Sequence, residues 1–131
     1  MNILADTHIF IWILQNNPKL SETRKNLVTD TSNEIWVSPF SFMEIVIKLK
    51  IGKLPEVFVD AEFLANQWLK DGYNILPVTK EHIYYYQQLP FIENHRDPFD
   101  RFIISTAIKE NMSIMTDDEK FKAYSHLVNL V

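Results

Sequence analysis

The sequence predicts an α/β domain built on a mostly parallel sheet of four to five strands, flanked by helices. Three observations carry that prediction. Short apolar runs alternate with stretches of helical spacing. Ser, Thr or Asp precedes most of the helical stretches, twice with proline at the first helical position. Only two glycines occur in 131 residues, too few for a barrel or sandwich of many tight turns.

Each element can be placed in order. Asn2 to Ala5 reads as a strand with Asp6 at its carboxyl end, and Ile9 to Leu14 as a buried helix stopped by Asn16-Asn17-Pro18. Ser21 caps a second helix ending around Thr29 to Ser32. Glu34 to Ser38 is a second strand, and Ser38-Pro39 opens a helix that runs to Gly52. Asp60 caps a helix through Trp68 and Leu69, closed by Gly72. Asn74 to Val78 is a third strand, and Thr79 caps a helix through Leu89, ended by Pro90. Asp97-Pro98 starts the next helix, Ile114-Met115 forms a fourth strand, Phe121 and Tyr124 lie on a last short helix, and Leu127 to Val131 is a weaker fifth strand.

Composition narrows the function. The length suits one domain, residues 1–131, and 47% hydrophobic with 23% charged residues is ordinary for a globular chain. No cysteine is present, which removes disulfides, thiolate zinc sites and a cysteine nucleophile, and is compatible with a cytoplasmic setting. No run approaches the roughly 20 apolar residues of a membrane span. Two glycines exclude a glycine-rich phosphate loop. A net charge of −4 means that a nucleic-acid substrate would need local basic patches or metal ions.

Four acids fall at comparable places. Asp6 and Asp118 follow strands and so lie on the carboxyl rim, where open α/β sheets bind ligands. Glu44 is about a turn into the helix after the second strand, and Asp100 is in the first turn of the helix leading to the fourth. Clustered carboxylates repel and raise one another's pKa, a penalty that a hard divalent cation removes. Magnesium or manganese there would suit phosphodiester hydrolysis. Plainer roles exist: Asp6 as a cap of the first helix, Glu44 as an i+4 partner of Lys48, Asp97 as a cap with Asp100 completing a capping-box-like pair, and Asp117 or Asp118 as a cap of the last helix. His8, His82, His95 and His126 lack zinc-like spacing and read as surface or packing residues. Lys48, Lys50 and Lys53 either track a phosphate backbone or form a solvated helix end, while Arg96 and Arg101 flank the acids and are candidates for substrate phosphate. Trp12, Trp36, Trp68 and the run Tyr84-Tyr85-Tyr86 offer more large apolar surface than a small core hides, which predicts a homodimer and a groove for a partner.

These motifs together resemble PIN-domain ribonucleases, and among them the VapC-type toxins of toxin–antitoxin pairs. Leu4-Ala5-Asp6-Thr7-His8, Ser38 to Ile45 around Glu44, Asp97-Pro98-Phe99-Asp100-Arg101 followed by Ile103 to Ala107, and Thr116-Asp117-Asp118 with Phe121 match that family's four motifs in order. The resemblance implies a three-layer PIN-like domain and a Mg2+- or Mn2+-dependent endoribonuclease. It implies Asp6, Glu44, Asp100 and Asp118 as metal-binding, catalytic acids, with Asp97 and Asp117 as further metal candidates. Thr7, Ser41, Arg96, Arg101 and Thr116 are the substrate-binding candidates. A homodimer, an RNA substrate and a VapB-like antitoxin are the implied partners. Two other readings are a catalytically weak PIN-like RNA- or protein-binding module and a phosphoacceptor receiver-like domain. The second would want a lysine ending the fifth strand, which this chain lacks.

Overall fold

The computed structural model describes residues Met1–Val131. Strands β1 (Asn2–Ala5), β2 (Glu34–Val37), β3 (Asn74–Ile75) and β4 (Ser113–Met115) form one parallel sheet in the order β3-β2-β1-β4. The register pairs Ile3 with Ile35 and Leu4 with Ile114. Six helices connect and cover it: α1 (Thr7–Gln15), α2 (Glu22–Thr29), α3 (Pro39–Lys50), α4 (Ala61–Lys70), α5 (Lys80–Tyr86) and α6 (Pro98–Lys109). A 3-10 segment, Glu119–Tyr124, follows β4.

Parallel strands are buried on both faces, so alternate residues enter different layers. Ile3 and Ala5 of β1 join one core with Ile9 and Phe10 of α1, Ile45 of α3, and Leu64 and Trp68 of α4. Leu4 points the other way, to Ile103, Ile104 and Ala107 of α6 and to Phe121 and Tyr124. Helices on either face of a parallel sheet make the predicted three-layer α/β arrangement. No helix is long and apolar enough to cross a membrane.

Local chemistry sets the helix starts. Asp6, Ser21, Ser38, Asp60, Thr79 and Asp97 each occupy an N-cap and accept a backbone N–H of the first turn. His82 completes a capping box, its Nδ1 accepting the N–H of Thr79. Gly52 and Gly72, just past α3 and α4, have φ of +71° and +92°, backbone that a side chain would strain.

Several elements depart from expectation. β3 stops at Ile75 rather than Val78: Leu76 still donates to Val37, but Pro77 has no N–H to continue the ladder. α5 ends at Tyr86 and tightens through turns to Leu89, because Pro90 disfavours helical backbone at the residue before it. The expected fifth strand is a single parallel bridge of Leu130 to Ile114, since the three-residue β4 offers little edge. Trp68 is no interface residue; it is fully buried and donates its indole N–H to Asn74 O at 2.7 Å. The strand order also removes the receiver reading, whose doubly wound order is 2-1-3-4-5.

Candidate functional site

In the order β3-β2-β1-β4, the strands run from β1 through β2 to β3 on one side, and the chain then returns to place β4 against the other edge of β1. Such a switch point opens a crevice beyond the strand ends. Asp6 follows β1 and Thr116 follows β4, and Thr116 Oγ1 donates to Asp6 Oδ2 across it. Asp6 Oδ1 accepts the N–H of Ile9 at 2.8 Å, so one carboxylate both caps α1 and faces the crevice. Burial pushes the Asp6 pKa up to about 6. The bonds from Thr116 and Ile9 pull it down, and the charges of Asp118 and Glu44 add to the rise.

Glu44 reaches the same crevice from α3 and is 5% exposed. Thr7 Oγ1 donates to Glu44 Oε1 at 2.6 Å and lies 3.0 Å from Ser41 Oγ. Lys48, one turn on, places Nζ 2.7 Å from Glu44 Oε2. Burial lowers the Lys48 pKa, but the bond and charge of Glu44, then Asp97 and Asp100, outweigh it and leave the ammonium raised. The i+4 pair therefore exists, inside the acidic crevice and not on a solvated face.

Asp100 enters from the first turn of α6, with Oδ2 3.0 Å from His95 Nε2. Burial lifts its pKa to about 6; the His95 bond opposes, and Asp97 and Asp118 reinforce. Asp97 sits exposed at the N-cap of α6, accepting the N–H groups of Phe99 at 2.9 Å and Asp100 at 3.0 Å. The plainer capping-box-like role for these two is only half formed, because the Asp100 side chain turns to His95. Asp118 caps the 3-10 segment through the N–H of Lys120 and is itself tied back by its N–H to Thr116 Oγ1. Asp117 is paired with Arg24 at 3.0 Å.

The resulting cleft holds about 370 Å3, and six of its eleven lining residues are acids: Asp6, Glu44, Asp97, Asp100, Asp117 and Asp118. His8, Trp12, Lys48 and Lys120 line it too. Sequence reasoning missed Lys120 and gave His8 and Trp12 no part in the site; His8 directly follows Asp6-Thr7, and Trp12, one turn further along α1, packs edge-on against it. Thr7, Ser41 and Thr116 are brought to the acids as hydrogen-bond donors or neighbours. Arg96 stays exposed near the Phe91 ring.

Arg101 corrects the expectation placed on it. Its side chain is 1% exposed, and it donates to Pro90 O, Leu89 O and the Tyr124 hydroxyl at 2.9, 2.9 and 3.1 Å. Its guanidinium carbon lies 4.4 Å from the Phe91 ring centre and 5.3 Å from that of Tyr86. No substrate phosphate can reach it.

The donor set is entirely oxygen, which suits hard cations such as Mg2+ or Mn2+. No three acids close in as a coordination sphere. The chemistry nevertheless fits a cation: two acids are held above their ordinary pKa, and the nearest ammonium has been drawn into the cleft.

Fold and cleft together define an α/β domain with a carboxylate-lined crevice at the sheet's switch point. The chain belongs to the PIN domain family, whose sequence profile matches residues 3–127. Among curated proteins no sequence matches. Among solved structures, VapBC2 from Rickettsia felis bound to a promoter DNA fragment superposes with TM-score 0.65 at 18% identity, covering 100% of this chain and 98% of that one. VapBC-1 from nontypeable Haemophilus influenzae gives 0.64 at 20% identity, covering 100% and 97%. The DNA-bound VapBC of Salmonella typhimurium gives 0.62 at 15% identity, covering 100% and 97%. Identities this low speak for the fold.

Proposed function

We propose that this PIN domain, residues 1–131, is a metal-dependent endoribonuclease of the VapC toxin type, hydrolysing RNA phosphodiester bonds in the acidic cleft. The observation that carries it is the gathering of Asp6, Glu44, Asp100 and Asp118 around one crevice at the carboxyl edge of the sheet. These four are the proposed metal-binding acids, with Asp97 and Asp117 at the rim. A bound Mg2+ or Mn2+ would supply Lewis acidity, a water of lowered pKa and charge on the leaving oxygen.

The chain's own residues do the rest. Thr116 and the Ile9 N–H fix Asp6, and Thr7 fixes Glu44, so these carboxylates are pre-aimed. Lys48 and Lys120 are the cationic side chains of the cleft, with Arg96 exposed nearby, and they offset the repulsion between RNA and the acids. A partner protein has surface to bind: Met43, Val46 and Ile47 of α3 and Phe63 and Leu69 of α4 are exposed apolar residues, and Phe58 between the helices is 90% exposed. We assign these surfaces to a homodimer contact and to a VapB-like antitoxin, the partner present in the structural relatives.

The binding-module reading draws on one observation: both Glu44 oxygens already have protein partners, Thr7 and Lys48. One assay separates the two. Labelled RNA is incubated with the protein in Mg2+, in Mn2+ and in EDTA, beside Asp6→Asn. Cleavage that needs the cation and vanishes in the variant supports the nuclease. RNA binding without cleavage in any cation supports the module. Fragment ends carrying 5′-phosphate and 3′-hydroxyl are the expected product; a 2′,3′-cyclic phosphate means that the ribose hydroxyl attacked instead of water.

A further inference from the structure

Behind Asp100 runs a chain of buried polar groups whose direction can be deduced. His95 places Nε2 3.0 Å from Asp100 Oδ2 and Nδ1 3.1 Å from the Tyr124 hydroxyl. Arg101 NH1 donates to that same hydroxyl at 3.1 Å. His95, Arg101 and Tyr124 are 7%, 1% and 0% exposed.

Arginine has only donors, so the Tyr124 oxygen accepts from Arg101 and its own proton must go elsewhere. The one acceptor within reach is His95 Nδ1, and a buried hydroxyl proton without an acceptor is costly. His95 Nδ1 is therefore unprotonated, and the ring's proton sits on Nε2, aimed at Asp100 Oδ2. A ring protonated on Nδ1 would set two hydrogens against each other on the Tyr124 line.

Arg101 starts the chain because it cannot move. The carbonyls of Leu89 and Pro90 hold its fork, and the rings of Phe91 and Tyr86 cover it. The order is Arg101 to Tyr124 to His95 to Asp100, four groups from three segments of the chain. It ties Oδ2 of Asp100, while Oδ1 has no protein partner and Asp100 lines the cleft.

We propose that Arg101, Tyr124 and His95 are positioning residues that lock the His95 tautomer and the rotamer of Asp100, leaving one carboxylate oxygen presented to a divalent cation. The proposal rests on the metal-site reading above. Partners that orient a metal-binding group typically contribute 10- to 100-fold in metal affinity, roughly, when removed.

The test uses Tyr124→Phe, which keeps the ring and deletes one hydroxyl, and His95→Phe beside His95→Gln, which restores a donor near the Nε2 position. Asp100→Asn is the control for the site. Mn2+ affinity is measured by titration followed by electron paramagnetic resonance, with RNA cleavage measured separately. Tyr124→Phe and His95→Phe are expected to weaken Mn2+ binding about tenfold or more. His95→Gln should recover part of the loss, and KM for RNA should move less than kcat. If Asp100→Asn weakens Mn2+ while Tyr124→Phe and His95→Phe bind like the parent, the positioning role is overturned and the site stands. If Asp100→Asn leaves Mn2+ binding unchanged, the site reading itself falls, and the positioning role with it. Nitrogen-15 NMR of the His95 ring in the unaltered protein decides without any variant: a protonated Nε2 and bare Nδ1 support the chain, and the opposite tautomer overturns it.

Discussion

Both walls of the cleft present two acids, but they hold those acids in place differently. On the β1 and α3 side, each acid is held by one group near it in sequence and one far from it: Asp6 by the Ile9 N–H and by Thr116, Glu44 by Lys48 and by Thr7. Thr7 then links the two motifs. On the α6 side, Asp97 is held by its own helix, whereas Asp100 depends on His95, Tyr124 and Arg101. Burial raises Asp6 and Asp100 alike to about 6. The difference teaches that burial dominates each acid's electrostatics, with its hydrogen bonds opposing, while the hydrogen-bond partners alone set its orientation.

Removing charge from the α6 wall alone should have the largest effect. Asp100→Asn keeps shape and should lower metal-dependent RNA cleavage by orders of magnitude, measured at saturating Mg2+. Its melting temperature in EDTA should hold or rise, since one repulsion is gone. Activity near that of the parent would place the metal set on the other wall.

A second effect follows from Asp6 itself. Its pKa is 3.8 ordinarily and about 6 in the fold, so the protonated form favours folding. That contribution is complete below about pH 4 and is lost as pH rises through 6, on the order of 3 kcal/mol by the pKa difference. Melting of the cation-free protein should therefore weaken from pH 5 to pH 7, and Asp6→Asn should reduce that decline, leaving the share that Asp100 contributes. An equal decline in the variant would remove Asp6 as its source. Mg2+ should restore stability at pH 7: at a hundredfold excess over its dissociation constant the gain is about 2.7 kcal/mol. A melting curve indifferent to Mg2+ and Mn2+ across a titration would argue against a site on either wall.

How much of this was legible depended on how far each feature reaches. Helix starts are written within four residues, so Ser21, Ser38-Pro39, Asp60, Thr79 and Asp97-Pro98 announced themselves. The acids were legible because strand ends and first turns put them on one rim once the sheet is parallel. Arg101 was misread because a guanidinium beside two acids suggests phosphate, and nothing local says that the carbonyls of Leu89 and Pro90 bury it. His95 and Tyr124 stand 29 residues apart, and their bond belongs to tertiary packing. Asp6 and Thr116 are separated by 110 residues, so their bond too appears only in the folded sheet. Pro77 was in plain view, yet the strand pattern around it hid the missing donor.

The smallest expected effect is also the finest test of the two walls, and it concerns Asp97. Its Oδ1 takes two N–H groups, those of Phe99 and Asp100, while the side chain stands exposed at the rim. An asparagine oxygen caps nearly as well as an aspartate one, so Asp97→Asn should melt almost with the parent. Removing the cap altogether, in Asp97→Ala, should cost about 1 kcal/mol. Cleavage by Asp97→Asn should fall only modestly, because the backbone of Asp100 keeps its acceptor and its carboxylate keeps His95. Asp97→Ala should lose more activity than stability alone explains, since the N–H of Asp100 is then unbound and the first turn of α6 loosens beneath the acid. A well-folded but inactive Asp97→Asn would mean that the carboxylate charge itself is needed. Asp97 would then belong with Asp6, Glu44, Asp100 and Asp118, and the α6 wall would present two acids to the cation.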